Sequence, residues 1–171
     1  MPEGLVYTGI PSAAELAACP GIPSRERTAK GRVAVIECVQ EIPCNPCERV
    51  CKRGAIKIGE RITELPRLDG GLCTGCGVCV ALCPGLAITV VDKTYSATEA
   101  SIDFPYEFLP LPQKGGLVEA CGRAGERVCT GRVLAVKKTA AYAGTAVVSI
   151  AVPVEFADDV RTMRVLRATE K

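Results

Sequence analysis

From Cys73 to Pro84 the chain reads Cys73-x₂-Cys76-x₂-Cys79-x₃-Cys83-Pro84, four thiols at two- and three-residue gaps. A second, wider series precedes it, Cys38-x₅-Cys44-x₂-Cys47-x₃-Cys51. Thiolates are soft ligands that suit zinc and iron–sulfur clusters. Two-residue gaps let one tight loop present three sulfurs to three corners of a cube. Gly75 and Gly77 sit in such a loop, where the missing Cβ lets backbone N–H groups approach a bound cofactor. A zinc ribbon instead uses paired CxxC knuckles some ~15–20 residues apart, and these closely spaced triplets do not fit it. Nor is there a CxxxCxxC triplet, because neither Cys47-x₃-Cys51 nor Cys79-x₃-Cys83 has a cysteine three residues further on. The chemistry expected is one-electron transfer at clusters ligated wholly by protein.

The other residue types narrow the possibilities. The 171-residue chain has 11 cysteines and no histidine. A Ser-His or Cys-His nucleophile pair, an imidazole-ligated haem, a Rieske centre and a Cys₂His₂ zinc finger are therefore excluded. The first residues, MPEGLVYTGIPSAAELAACPG, lack an early Lys or Arg and a long apolar stretch, so they do not read as a secretory signal. No apolar run approaches the ~20 residues of a membrane helix. The expectation is a cytoplasmic protein without membrane insertion, whose thiols stay reduced and free for metal. The formal net charge of +2 counts cysteines as neutral. Two cubane clusters with four thiolates each would move it to about −2. Nothing in the distribution of Lys and Arg argues for nucleic acid.

The elements that must position these thiols follow from an internal repeat. Residues 44–58 (CNPCERVCKRGAIKI) align with residues 76–90 (CGVCVALCPGLAITV) at a constant offset of 32. Each half reads as a cysteine-rich turn, a short helix opening near its third cysteine, and an apolar β-like tail. Such repetition predicts a pseudo-twofold arrangement with both tails on a shared core. Four stretches follow. Residues 1–31 are an extended arm with one short helix, Ser12 to Ala18, capped by Ser12 and Glu15. Residues 32–92 are the di-cluster domain, and residues 93–117 a Pro-rich connector. Residues 118–171 are a small β-rich unit, with a turn at CGRAGERVC and a closing helix from Ala157 to Arg167 carrying Val160, Met163 and Leu166. The fold class expected is α+β. Cys19, Cys121 and Cys129 read as small buried hydrophobes.

The Cys73–Pro84 signature resembles that of the bacterial two-[4Fe–4S] ferredoxin family throughout. The first half departs from it in the wide Cys38–Cys44 gap and in Lys52, where the family has proline. In this motif the fourth cysteine serves the other cluster. The resemblance therefore implies one cluster on Cys73, Cys76, Cys79 and Cys51, and a second on Cys38, Cys44, Cys47 and Cys83. More narrowly, VIECVQEIPCNPCERVC and VVSIAVPVEFADDVR resemble small iron–sulfur subunits of flavin-dependent amino- or imino-acid dehydrogenases, including proline, hydroxyproline and hydrogen-cyanide-synthase-like complexes.

The chain has no GxGxxG after a strand and no GxxxxGK[ST], so no nucleotide site of its own is evident. The expected role is a non-catalytic electron-transfer subunit of a multisubunit flavin-dependent oxidoreductase. Its partners would be flavoprotein subunits and other electron carriers. The alternatives are a free-standing ferredoxin shuttling electrons between enzymes and an iron–sulfur regulator, though the latter lacks a DNA-binding motif.

Overall fold

The computed structural model describes residues 2–166. Three short helices occupy the arm: α1 (Leu5–Thr8), α2 (Ala13–Ala18) and α3 (Arg25–Thr28). The sequence anticipated α2 and its capping box. Ser12 Oγ accepts from Glu15 N at 3.2 Å, and Ser12 N donates to Glu15 Oε2 at 2.7 Å. It did not anticipate α1 or α3, whose four residues carry too little periodicity to be read. Beyond α2 the arm lies against the cysteine-rich segment, with Ile36 N donating to Gly21 O and Leu68 N to Pro20 O.

The cysteine-rich segment runs β1 (Val33–Ile36), α4 (Pro46–Val50), β2 (Ile56–Lys57), β3 (Arg67–Leu68), α5 (Val78–Leu82) and β4 (Ile88–Asp92). The two helices open one residue before Cys47 and Cys79, the third cysteine of each series. Pro46 suits a first helical position because its missing N–H has no intrahelical partner there. Strand β2 pairs with β3, and β1 with β4, both antiparallel.

The remainder is mostly sheet: β5 (Glu99–Tyr106), β6 (Leu117–Cys121), β7 (Arg127–Lys137), β8 (Ala146–Pro153) and β9 (Thr162–Val165). One seven-stranded antiparallel sheet results, in the order β1-β4-β5-β8-β7-β6-β9. The stretch read as a connector thus contributes an eight-residue strand at the centre of the molecule. Its polar residues and Pro105 disguised it. Ala100, Ile102, Phe104 and Tyr106 alternate onto one buried face. Pro105 lies past the last pair with β4, Val90↔Asp103, a place where a strand proline is tolerated.

The stretch read as a closing helix from Ala157 to Arg167 is instead a turn, following a 3₁₀ segment (Val154–Phe156), and then β9; Arg167 itself lies outside the described residues. The helical spacing of Val160 and Met163 was real as a burial signal, since both sit in the core. What overrode it is the open edge of β6. Arg161 N donates to Cys121 O, and Thr162 to Val165 continue the ladder down that edge. Asp158, in the turn before β9, pairs with Lys93 at 2.7 Å.

The sheet divides two cores. On one face Ala34, Ile36, Ile88, Val90 and Val147 pack with Ile56, Ile58 and Val80 around the cysteines. On the other, Val35, Val91, Ile102, Phe104, Val148 and Ile150 pack with Val160 and Met163. Strands buried on both faces read as continuous apolar runs, which is why VAVI and ITVV carry no polar alternation. The two apolar tails of the repeat do meet on one core, through Ile56 and Ile88. Tyr142, from the loop before β8, is buried in that same core.

Candidate iron–sulfur site

The eight cysteines gather around two recesses. One is lined by Cys38, Cys44, Cys47 and Cys83 with Ile36, Ile42, Ile58, Pro66, Pro84 and Ile88. The other is lined by Cys51, Cys73, Cys76 and Cys79 with Ala34, Ala55, Ile56 and Val90. Each therefore takes three cysteines from one half of the repeat and one from the other. Helices α4 and α5 pack against each other, and Cys47 of one recess lies near enough to Cys79 of the other to act on its thiol.

The thiols surround space rather than closing on a point. Among the described residues no three His, Cys, Asp or Glu side chains are grouped tightly enough to hold a single ion. A tetrahedral zinc with ~2.3 Å bonds to sulfur would require such a group. The walls are apolar, and their effect on the thiols is consistent. Burial, then Cys83 and the other thiols of its recess, push Cys47 up to about 11. Burial, then Cys76, Cys73 and Cys51, push Cys79 up to about 12. Burial likewise raises Cys38, with Cys83 adding to it. Four thiolates crowded into either recess would repel one another in a poorly solvated site. They become stable only around a cationic centre, and metal binding deprotonates them. This donor set fits an iron–sulfur core.

Backbone groups address the sulfurs. Ala34 N donates to Cys73 Sγ at 3.4 Å and Ala55 N to Cys51 Sγ at 3.3 Å. Gly75 and Gly77 have φ of +64° and +83°, the left-handed region that favours glycine. A Cβ on Gly75 would stand 2.6 Å from the Cβ of Arg32. Gly77 caps α5, and a Cβ there would have the Tyr142 hydroxyl 4.0 Å away. Both glycines thus serve backbone conformation, and Gly75 also close packing.

Several residues around the recesses carried no sequence signal. Arg27, in α3, sends its guanidinium to four backbone carbonyls: Gly70 at 2.6 Å, Arg32 and Cys73 at 2.8 Å, and Gly31 at 3.0 Å. It ties the arm to the loop bearing Cys73. Cys19 is buried, and its thiol donates to the carbonyls of Ile36 at 3.2 Å and Cys38 at 3.4 Å. Glu37, beside Cys38, is held by Arg123, from the turn between β6 and β7, and by Arg161, just before β9, at 2.6 and 2.7 Å. Burial alone would raise the Glu37 carboxyl, but the two guanidinium groups outweigh it and hold the pKa below its ordinary value. Such partners come from loops far off in sequence, and no local pattern announces them. Cys121 and Cys129 lie away from the recesses on β6 and β7. They are not directly opposed, since Cys129 faces Ala120 and Cys121 faces Arg127.

Residues 37–87 match the family model of the 4Fe-4S dicluster domain. The match covers the cysteine-rich segment and less than half of the chain. That segment is similar to one subunit of an ion-translocating oxidoreductase complex of Methanosarcina acetivorans, with 47% identity over 47 residues, 28% of this chain and 17% of that protein. It is also similar to an uncharacterized ferredoxin of Methanocaldococcus jannaschii, 32% identical over 88 residues, 47% of this chain and 51% of that one. One subunit of an F420H2 dehydrogenase of Methanosarcina mazei is 31% identical over 77 residues, covering 42% and 44%. The chain spans about half or less of the length of these relatives. No solved structure matches it. The cysteine-rich part is similar to proteins named as ferredoxins and as oxidoreductase subunits, and no helix among the described residues is long and apolar enough to cross a membrane.

Proposed function

We propose that this chain is an electron-transfer subunit carrying two [4Fe–4S] clusters within a multisubunit, cytoplasmic, flavin-dependent oxidoreductase. The observation that carries the reading is the pair of four-cysteine recesses, each completed by one cysteine from the opposite half. On this reading Cys38, Cys44, Cys47 and Cys83 hold one cluster, and Cys51, Cys73, Cys76 and Cys79 the other. When bound, such clusters take up and release electrons singly. The chain itself supplies the thiolates, apolar walls that keep water away, and the N–H donors of Ala34 and Ala55 that stabilise negative charge on two of the sulfurs. The β–α–β order of each half supports a pseudo-twofold relation between them. The segments outside residues 32–92 would hold the domain against its flavoprotein partners.

Relatives whose names describe them as oxidoreductase or dehydrogenase subunits support a place in a complex. The flavin partner, and an amino or imino acid such as proline as its substrate, rest on the resemblance of residues 35–51 and 147–161. Relatives named as ferredoxins favour a second reading, a freely diffusing carrier. Anaerobic purification from the native cell with iron, sulfide and flavin measured together separates them. About eight irons per chain with coeluting flavin is the expected result. About four irons would refute the ligand assignment, and eight irons on a solitary chain would select the diffusing carrier.

A further inference from the structure

The two recesses differ in the charge at their mouths. Glu64 is the charged residue lining the Cys38 recess, and Arg123 and Arg161 are committed to Glu37. Arg53 is the charged residue lining the Cys51 recess. It stands with Lys52 directly after Cys51, where the second half of the repeat has Gly85 and Pro84. Both cations are exposed, and among the described residues neither has an ion-pair partner. Two further cations connect to this lining through Gly75. Arg32 donates to Gly75 O, and it shares the buried carboxylate of Asp103 with Lys137, at 2.6 and 2.9 Å. Two cations on one carboxylate leave that group positive. The nearby carboxylate of Asp69 is turned into its own loop, accepting from Gly71 N and Leu72 N. Of the eight clustered cysteines, Cys76 in this recess is the exposed one.

We propose that the face around Cys76, collared by Lys52, Arg53, Arg32 and Lys137, is the docking surface for an acidic redox protein. This rests on the two-cluster reading above. Lys52 and Arg53 have no ion-pair partner among the described residues, Arg32 and Lys137 exceed the one carboxylate they share, and this surplus of positive charge near the most accessible cysteine can orient an encounter. Complementary charge raises association rate and fixes orientation, and both effects weaken as salt screens them beyond about 10 Å. The acidic partner would be seated with its own redox centre toward Cys76. The Cys38 recess, where Glu64 is paired with the exposed Arg61 and the apolar side chains of Ile42 and Ile62 are exposed, has no unpaired cation in its lining.

The test uses the full chain with its clusters in place, an acidic flavodoxin as probe and the basic cytochrome c as its counterpart. Binding of each is measured by calorimetry from low to high salt. Flavodoxin is expected to bind more tightly than cytochrome c, with affinity falling about tenfold or more as salt rises through the physiological range. Lys52→Glu with Arg53→Glu should weaken flavodoxin binding about tenfold, while Glu60→Lys, outside the collar, should not. The milder pair Lys52→Gln with Arg53→Gln guards against a folding defect and should fall between. Preferential binding of cytochrome c, or no salt-dependent binding of flavodoxin by a chain holding about eight irons, overturns the proposal. An iron content near four would instead count against the two-cluster reading on which it stands.

Discussion

Glu37→Gln tests whether the C-terminal part of the chain physically supports the segment that presents Cys38. Glu37 is 9% exposed at its side chain, Arg161 12% and Arg123 23%. Its carboxylate accepts from Arg123 Nε and Nη2 at 2.8 and 2.6 Å and from Arg161 Nε at 2.9 Å. A glutamine keeps the shape but turns an N–H₂ toward a guanidinium and leaves a nearly buried Arg161 without its counter-ion. Breaking a buried pair costs about 3–5 kcal/mol. Arg123 has water within reach, so the lower end applies, about 3 kcal/mol. For a chain of this length each kcal/mol is worth roughly 2–4 °C, so the expected fall in melting temperature is about 6–12 °C. The assay is thermal loss of visible absorbance from the iron-loaded chain at one fixed scan rate, with iron release to a chelator followed in parallel. The pH dependence has a definite sign. The folded pKa of Glu37 is depressed, so its contribution is present above the ordinary value of about 4.3 and is lost as pH falls through the folded pKa. The gap between wild type and variant should therefore be full at neutral pH and close only below about pH 4. A variant melting within about 2 °C of wild type and losing iron at the same rate would refute the reasoning. A control replaces Glu37, Arg123 and Arg161 together by apolar residues of similar size, which should recover most of the loss.

Two further outcomes follow from the second cysteine loop. Gly75→Ala puts a Cβ at φ +64° and 2.6 Å from the Arg32 Cβ, with the Arg32 carbonyl carbon at 2.9 Å. Strain and overpacking together should cost about 3 kcal/mol, read as iron lost preferentially from the Cys51 recess. Gly85→Ala, with nothing within 4 Å, should leave iron content unchanged. Arg27→Lys keeps the charge but abandons at least two of the four carbonyls that the fork serves. A loss of about 2 kcal/mol in denaturant unfolding is expected, with Arg27→Gln no worse than Arg27→Lys; full rescue by lysine would show that charge, rather than the fork, matters.

Local chemistry made much of the cysteine-rich segment legible. The gaps between Cys73 and Cys83 dictate how one loop can present its sulfurs, and a repeat at constant offset copies that geometry into the first half. The short helices at Cys47 and Cys79, the apolar runs VAVI and ITVV, and the Ser12–Glu15 box are likewise set by near neighbours along the chain. Which cysteine of one half joins which three of the other entered the reading through resemblance to a family rather than through spacing, and the recesses group them in those same sets.

Tertiary structure decided what lies beyond that segment. Strand β5 is polar on one face because Asp103 is buried under Arg32 and Lys137, two partners about 70 and 34 positions away. Residues Thr162–Val165 form a strand because β6 presents an open ladder, although Val160 and Met163 have the spacing of a helix. The fork of Arg27 and the triad at Glu37 exist only once the chain has closed. The eight thiols could be read from sequence because nearby backbone sets their spacing. The charge around them depends on side chains brought in from every other part of the chain, and only the folded molecule separates a cationic face at Cys76 from the mouth beside Glu64.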